Sequence, residues 1–173
     1  MSSKVERTAE AVLERFGITK PPVPVEELAK ALGAEVLPSD LEDKDLSGMF
    51  FRRGPRTVIL FNKGHHPNRQ RFTVAHEIGH MLLHKDATVF VDAVLRRDKH
   101  SSAGIDQKEI QANQFAAALL MPRRWILAEV QRRRPQKVLG SDEELIARLA
   151  SVFDVSQEAL QYRLANLGVL ASF

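Results

Sequence analysis

The segment His76-Glu77-Ile78-Gly79-His80 places strong demands on the fold of this chain, because it carries an H-E-x-x-H motif. On an α-helix the two imidazoles lie one turn apart on the same face, so both can reach a single metal ion. The glutamate lies beside them, where a carboxylate can accept a proton from a water molecule. The fold must therefore bring further ligands to one face of this helix and pack the other face on a core.

Cysteine is absent from the 173 residues, which excludes thiolate ligands, disulfides, iron–sulfur clusters and a cysteine nucleophile. A metal must then be held by histidine and carboxylate groups, a donor set that suits Zn²⁺ and also admits Mn²⁺. The 44% of hydrophobic residues is typical of a globular domain, and a formal net charge of +3 gives no argument for nucleic-acid binding. The sequence has no secretory pattern and no apolar run long enough to span a bilayer, so we expect a cytoplasmic protein.

A catalytic metal site of this type needs a third protein ligand, and Glu109 is the best candidate. Asn113 lies one turn further along the same helical face, where its amide can hydrogen-bond a ligand histidine and fix the ring. The alternative is a capping box that begins at Asp106, in which Glu109 bonds back to the start of its helix. The residues alone leave both roles of Glu109 open.

The other histidines are weaker candidates for the metal site. His84 continues the i+4 series but lies about 12 Å along the axis from the first histidine, so we expect it to support a ligand or to pack. His65 and His66 fall in a predicted loop and are expected to be solvated. Neither His100, in a long connection, nor the only tyrosine, Tyr162, is a strong candidate for stabilising an oxyanion, so that role is not assigned.

Hydrophobic spacing and turn residues predict a chain of mixed helices and strands. Helices are predicted at residues 4–16, 25–32, 69–84, 106–121, 122–130, 141–153 and 156–167, and strands at residues 34–37, 47–52 and 57–61. The turn residues Gly54 and Pro55 predict a hairpin between the last two strands. Asn68 is the predicted cap of the helix that carries the motif, and residues 85–104 are predicted to be irregular.

The sequence divides into two predicted parts. Residues 1–130 carry the motif and the strands, and residues 138–173 carry the last two helices, whose apolar spacing suits a helix-turn-helix core. The arginine-rich residues 131–137, which include a proline, form the predicted linker. We therefore expect an α+β core followed by a small helical segment.

Two blocks of the chain resemble the ImmA/IrrE family of zinc metallopeptidases. The first block runs from Arg69 to His80, and the second runs from Glu109 to Ala116 and continues from Leu119 to Pro122. The residues from Phe153 to Gly168 also resemble the segment that follows the peptidase core in that family. The resemblance implies an α+β fold, a minimal zincin-like metallopeptidase core with a small twisted sheet and active-site helices, followed by a helix-turn-helix-like segment.

The resemblance also implies the chemistry of the chain. It makes His76, His80 and Glu109 the zinc ligands and Glu77 the general base. Members of the family commonly cleave helix-turn-helix repressors, so the resemblance implies a metalloendopeptidase that derepresses mobile-element or stress-response genes. A peptide substrate needs an extended binding place, and we expect an edge of the sheet at Ser47–Phe51 to accept it as an added strand.

Two other functions are compatible with the residues. Arg148, Arg163 and the arginine run at 132–134 could meet phosphates, which would make the chain a DNA-binding regulator. A toxin–antitoxin-type interaction protein with a non-catalytic metal site is the other alternative. We predict weak or absent nucleic-acid binding, because Glu158 at the start of the last helix would be repelled by phosphate and a single helix pair has no second half-site. The helices at 141–167 are instead expected to dock a substrate or to support the core.

Overall fold

The computed structural model describes residues 3–41, 46–84, 89–93, 103–133 and 142–170. Within these ranges the chain forms seven helices and four strands, which confirms the α+β class. The helices are α1 (Lys4–Arg15), α2 (Val25–Ala31), α3 (Pro67–Leu83), α4 (Ala103–Leu120), α5 (Arg123–Arg133), α6 (Asp142–Phe153) and α7 (Gln157–Asn166). The strands are β1 (Ala34–Ser39), β2 (Leu46–Arg53), β3 (Arg56–Asn62) and β4 (Val89–Ala93). None of the described helices is long and apolar enough to cross a bilayer.

The four strands form one sheet in the order β1-β3-β2-β4, with β1 parallel to β3 and the other pairs antiparallel. The predicted hairpin between β2 and β3 is confirmed, and its turn uses Gly54 at a φ of +60°, a conformation that glycine adopts without steric cost. The expectation that residues 85–104 are irregular is wrong in part. Val89–Ala93 forms a strand, because its backbone pairs with the distant β2. The helix α4 begins at Ala103, within the segment that was expected to be irregular.

The position of β2 within the sheet corrects the expected binding place for a peptide. Ser47–Phe51 lies inside β2, which pairs with β3 on one side and with β4 on the other. Gly48–Phe51 is thus paired on both sides, so this part of β2 is not an edge and cannot accept a further strand. The outer strands of the described sheet are β1 and β4.

The motif-bearing helix α3 begins earlier than predicted. His66 is its N-cap residue, and the ring nitrogen Nδ1 accepts a hydrogen bond from the backbone N–H of Asn68 at 3.2 Å. Pro67 takes the first helical position, where its missing N–H costs nothing. Asn68 is thus not the cap. From Thr73 to Met81 every residue of α3 is buried, which is consistent with its contacts to both the sheet and α4.

The helices α3 and α4 approach each other closely at Gly79. A methyl group built on Gly79 would lie 3.2 Å from the Cα of Ala112 and 3.2 Å from the ring of Phe115. Ala112 and Ala116 are fully buried on the facing side of α4. Small side chains on both helices therefore set the distance between the motif and the residues of α4.

The C-terminal helices share the hydrophobic cluster of the rest of the described chain. Arg163 on α7 is 7% exposed, donates to the carbonyl of Met121 at 3.1 Å, and pairs with Glu6 on α1 at 2.8 Å. The alternative in which Arg163 meets phosphates is therefore wrong, because its guanidinium is used inside the protein. Residues 131–133 of the predicted linker continue α5, whereas residues 134–137 lie outside the described ranges. The division at residues 130 and 138 stays a prediction.

Candidate metal centre

Three side chains converge where α3 packs on α4. The Nε2 atoms of His76 and His80 lie 2.9 Å apart. One carboxylate oxygen of Glu109 lies 3.2 Å from the Nε2 of His76, and the other lies 3.1 Å from the Nε2 of His80. The ligand atoms of the three residues all lie within 4.8 Å of one another. They form a group that could hold a metal ion.

The distances between these atoms fit the tetrahedral coordination of a small metal ion. Zinc binds histidine nitrogens and carboxylate oxygens at about 2.0–2.1 Å, so neighbouring ligand atoms in a tetrahedron lie roughly 3.3 Å apart. The three observed separations of 2.9, 3.1 and 3.2 Å are close to that value. Two histidines and one glutamate are also a donor set of catalytic zinc sites that keep one position open.

Glu109 faces the histidines and not the start of its own helix. Because α4 begins at Ala103, Asp106 lies inside the helix and cannot be its N-cap, so the capping-box alternative is wrong. Burial by itself raises the pKa of Glu109, but hydrogen bonds with His76 and His80, together with their charges, outweigh burial and lower the pKa to about 2. Glu109 is therefore an anion at neutral pH, as a metal ligand must be.

Asn113 lies one turn beyond Glu109 and contacts the other nitrogen of His76. The distance between its Oδ1 and the Nδ1 of His76 is 2.9 Å. An amide oxygen can only accept, so the imidazole donates from Nδ1, and Nε2 is the ring nitrogen left to bind a cation when the ring is neutral. Asn113 thereby selects the tautomer of His76 that can bind a cation.

Glu77 is fully buried on the side of α3 that faces the sheet. Gly48 on β2 lies near this carboxylate, because an added Cβ there would lie 3.6 Å from the Oε1 of Glu77 and 2.7 Å from the carbonyl oxygen of Leu60. The same Cβ would overlap the methyl group of Thr73. Sequence reasoning missed Gly48, although a glycine inside a strand is a signal of close backbone approach.

Neither His84 nor Tyr162 belongs to the group of three converging side chains. The ring of His84 contacts that of His80 at a centroid distance of 5.4 Å, and its Nε2 lies 3.3 Å from the carbonyl of Lys108. Burial lowers the pKa of His84, and the hydrogen bond to Lys108 opposes that effect. Tyr162 is 66% exposed on α7, and His100 lies outside the described residues. The residue that stabilises an oxyanion stays unassigned.

A groove of about 590 Å³ lies between the first half of α3, the end of α4, and α7. Its apolar lining includes Phe72 and Ala117, which lie one helical turn from His76 and Asn113 respectively. Tyr162 also lines this groove, together with polar residues at the N-termini of α3 and α7. The groove therefore lies between the two helices that carry the candidate metal centre and the C-terminal helix α7.

The sequence of this chain matches a known family and several known proteins. The sequence model of the Peptidase_M78 family, described as the IrrE N-terminal-like domain, matches residues 29–165. The chain is 37% identical over 110 residues to the radiation response metalloprotease IrrE of Deinococcus radiodurans, covering 63% of this chain and 31% of that protein. It is 38% identical over 110 residues to the protein of the same name from Deinococcus deserti, covering 63% of this chain and 36% of that protein. The chain thus spans about a third of the length of either IrrE protein.

Two further similarities concern a phage protein and a solved structure. The chain is 28% identical over 104 residues to the uncharacterized immunity region protein 2 of Bacillus phage phi105, covering 60% of this chain and 61% of that protein. A transcriptional regulator of Mycobacterium tuberculosis superposes with a TM-score of 0.64 at 20% identity, covering 95% of this chain and 47% of that chain. At this identity the superposition shows a shared fold alone.

Proposed function

Because this chain belongs to the Peptidase_M78 family, the ImmA/IrrE family that its two sequence blocks resemble, we propose that it is a zinc-dependent metalloendopeptidase. The observation that carries the proposal is the convergence of His76, His80 and Glu109 on two packed helices, with the buried carboxylate of Glu77 on one of them. The relatives named as metalloproteases support the same reaction class.

In the proposed mechanism His76, His80 and Glu109 hold the zinc ion. When bound there, zinc supplies a Lewis acid that polarises the scissile carbonyl and acidifies a water molecule. Glu77 accepts the proton of the attacking water and delivers it to the leaving amine. Asn113 holds the imidazole of His76 in the tautomer and orientation that binding requires, through the contact at 2.9 Å.

The proposed substrate is a helix-turn-helix transcriptional repressor, whose cleavage derepresses mobile-element or stress-response genes. The similarity to an immunity region protein of a phage supports a role in the control of mobile elements. We expect contacts remote from the scissile bond to orient the substrate. A folded protein provides such contacts, whereas a short peptide does not.

The C-terminal helices have a second proposed role, in substrate docking or core support. Residues 138–173 would form the helix-turn-helix-like segment predicted from the sequence. Ser156 and Glu158 at the start of α7 line the groove shared with α3. A recognition helix presents this end to DNA, and phosphate would repel the negative charge of Glu158, which argues against a DNA-binding regulator.

The test of the proposed function uses the zinc-loaded chain and a panel of small helix-turn-helix repressors purified from the same genome. We expect one repressor to be cut at one position, which mass spectrometry of the fragments will identify. Glu77→Gln is the matched control, since glutamine keeps the shape of the side chain but cannot accept a proton. Cleavage of every repressor and of casein at similar rates would indicate a general protease. Absence of cleavage throughout the panel would contradict the proposal.

A further inference from the structure

The strand β2 carries an irregularity next to the candidate active site. Leu46 pairs with Ala93 and Gly48 pairs with Asp92 on β4, so Ser47 is an extra residue that opposes no partner. This is the arrangement of a β-bulge, which bends a strand and re-aims the residues beside it. Ser47 is only 5% exposed, so its hydroxyl is turned into the protein and not towards solvent.

Side chains from two other elements hold this bulge. Arg69 on α3 donates to the Oγ of Ser47 from Nη2 at 2.8 Å and from Nε at 3.2 Å. The amide of Asn62, at the end of β3, donates to the carbonyl of Leu46 at 3.1 Å. Both residues that precede Gly48 are therefore fixed, one to the active-site helix and the other to the neighbouring strand.

Gly48 follows the bulge directly and lies against Glu77. A Cβ at this position would lie 3.6 Å from the Oε1 of Glu77 and would overlap the methyl group of Thr73. The backbone of β2 therefore forms one wall of the space in which the carboxylate of Glu77 can lie. A shift of the bulge by a few tenths of an ångström moves that wall.

We propose that Arg69 and Ser47 are positioning residues, which hold the bulge of β2 against α3 so that Gly48 keeps the carboxylate of Glu77 in its working orientation. This inference rests on the proposed function, because only a peptidase mechanism gives Glu77 a proton to transfer. In this proposal Arg69 acts on the reaction through Ser47, Gly48 and Glu77. Its loss is therefore expected to slow the chemical step without changing how tightly the substrate binds.

The kinetic test uses the zinc-loaded full chain and the repressor that the wild type cleaves. Ser47→Ala removes the acceptor and Arg69→Gln removes the guanidinium. Each change should lower kcat about ten- to a hundredfold at unchanged KM, because small displacements of a catalytic group have effects up to about a hundredfold. Arg69 is itself an exposed residue, so in Ser47→Ala its guanidinium stays hydrated and the thermal unfolding midpoint should change little.

Arg71→Gln is the matched control from the same part of α3. Among the described residues, Arg71 donates to the carbonyls of Val23 and Asp154 and pairs with the carboxylate of Asp154, and neither partner lies on β2. The control should lower the unfolding midpoint and leave kcat unchanged. If it lowers kcat as much as Arg69→Gln does, general loosening of α3 explains the effect and the proposed positioning role is overturned.

Amide hydrogen exchange of the metal-free protein is a readout that does not depend on activity. We expect exchange in the segment of β2 around Gly48 to become faster in both Ser47→Ala and Arg69→Gln, and to stay unchanged in Arg71→Gln. Unchanged exchange in the first two variants overturns the inference, whatever the kinetics show. If the wild type cleaves no repressor, the proposed function fails, and hydrogen exchange still decides whether Arg69 and Ser47 hold the bulge.

Discussion

Replacing Gly79 by alanine tests whether the contact between α3 and α4 sets the geometry of the metal centre. The new Cβ would lie 3.2 Å from the Cα of Ala112, 3.2 Å from the ring of Phe115 and 3.3 Å from the carbonyl oxygen of Ala112. Carbon atoms pack at about 3.5–4.0 Å, and two of these three neighbours are backbone atoms, so α4 itself must move by a few tenths of an ångström. Such overpacking costs about 1–3 kcal/mol, and the better helix propensity of alanine returns about 1 kcal/mol.

The net expectation for Gly79→Ala is a loss of about 0–2 kcal/mol in the free energy of unfolding, measured by urea denaturation of the metal-free protein. Because Glu109 and Asn113 move with α4, zinc affinity should fall by about ten- to a hundredfold, the range seen when the residues that orient metal ligands are changed. Competition with a chromophoric chelator measures that affinity. Adding Phe115→Leu to this variant removes one of the three close contacts and should recover part of the lost zinc affinity. A Gly79→Ala variant that is more stable than the wild type and binds zinc equally well would refute the reasoning.

Four further predictions concern the ligands, the base, the buried ion pair and DNA. Glu109→Ala should lose zinc on dialysis, as measured by elemental analysis, and full retention of the metal would show that Glu109 is not a ligand. Glu77→Gln should keep zinc and the fold but slow repressor cleavage by about 10²–10⁴-fold, and cleavage at the wild-type rate would remove Glu77 from the mechanism. Arg163→Met should destabilise the protein by up to about 3–5 kcal/mol in thermal or urea unfolding, because the carboxylate of Glu6 loses its ion pair with the guanidinium, and a smaller loss in the double variant with Glu6→Gln would confirm the cause. Binding to random duplex and to the repressor's operator should be weak and similar when titrated at two salt concentrations, and an operator preference on the order of a thousandfold would favour the regulator alternative.

Local patterns in the sequence predicted the elements that local chemistry determines. The spacing of the motif predicted a helix with both histidines on one face, and Gly54 with Pro55 predicted the hairpin. The start of α3 was missed by two residues because a histidine ring served as the cap in place of the more common asparagine. In each of these cases the deciding contacts lie within a few residues along the chain.

Features that depend on distant contacts were not predictable from the residues alone. The strand β4 is five residues long and exists through its pairing with β2, about 40 residues earlier in the chain. The two roles of Glu109 could be separated only when the start of α4 and the position of the histidines were both known. Arg163 looked like a phosphate contact in the sequence, and only tertiary packing shows that it is buried against Glu6.

The ion pair between Glu6 and Arg163 has a consequence for how this protein assembles during synthesis. The two residues are 157 positions apart, so the contact that joins α1 to α7 cannot form until almost the whole described chain has left the ribosome. The helices α3 and α4 are made earlier and can meet before then, because they are close in sequence. Contacts between residues so far apart in sequence form late, and they lower the folding rate because a large loop must close first. The nascent chain therefore has His76, His80 and Glu109 available before α1 and α7 are joined, and a metal ion bound by these three residues at that stage would link α3 to α4 early in folding.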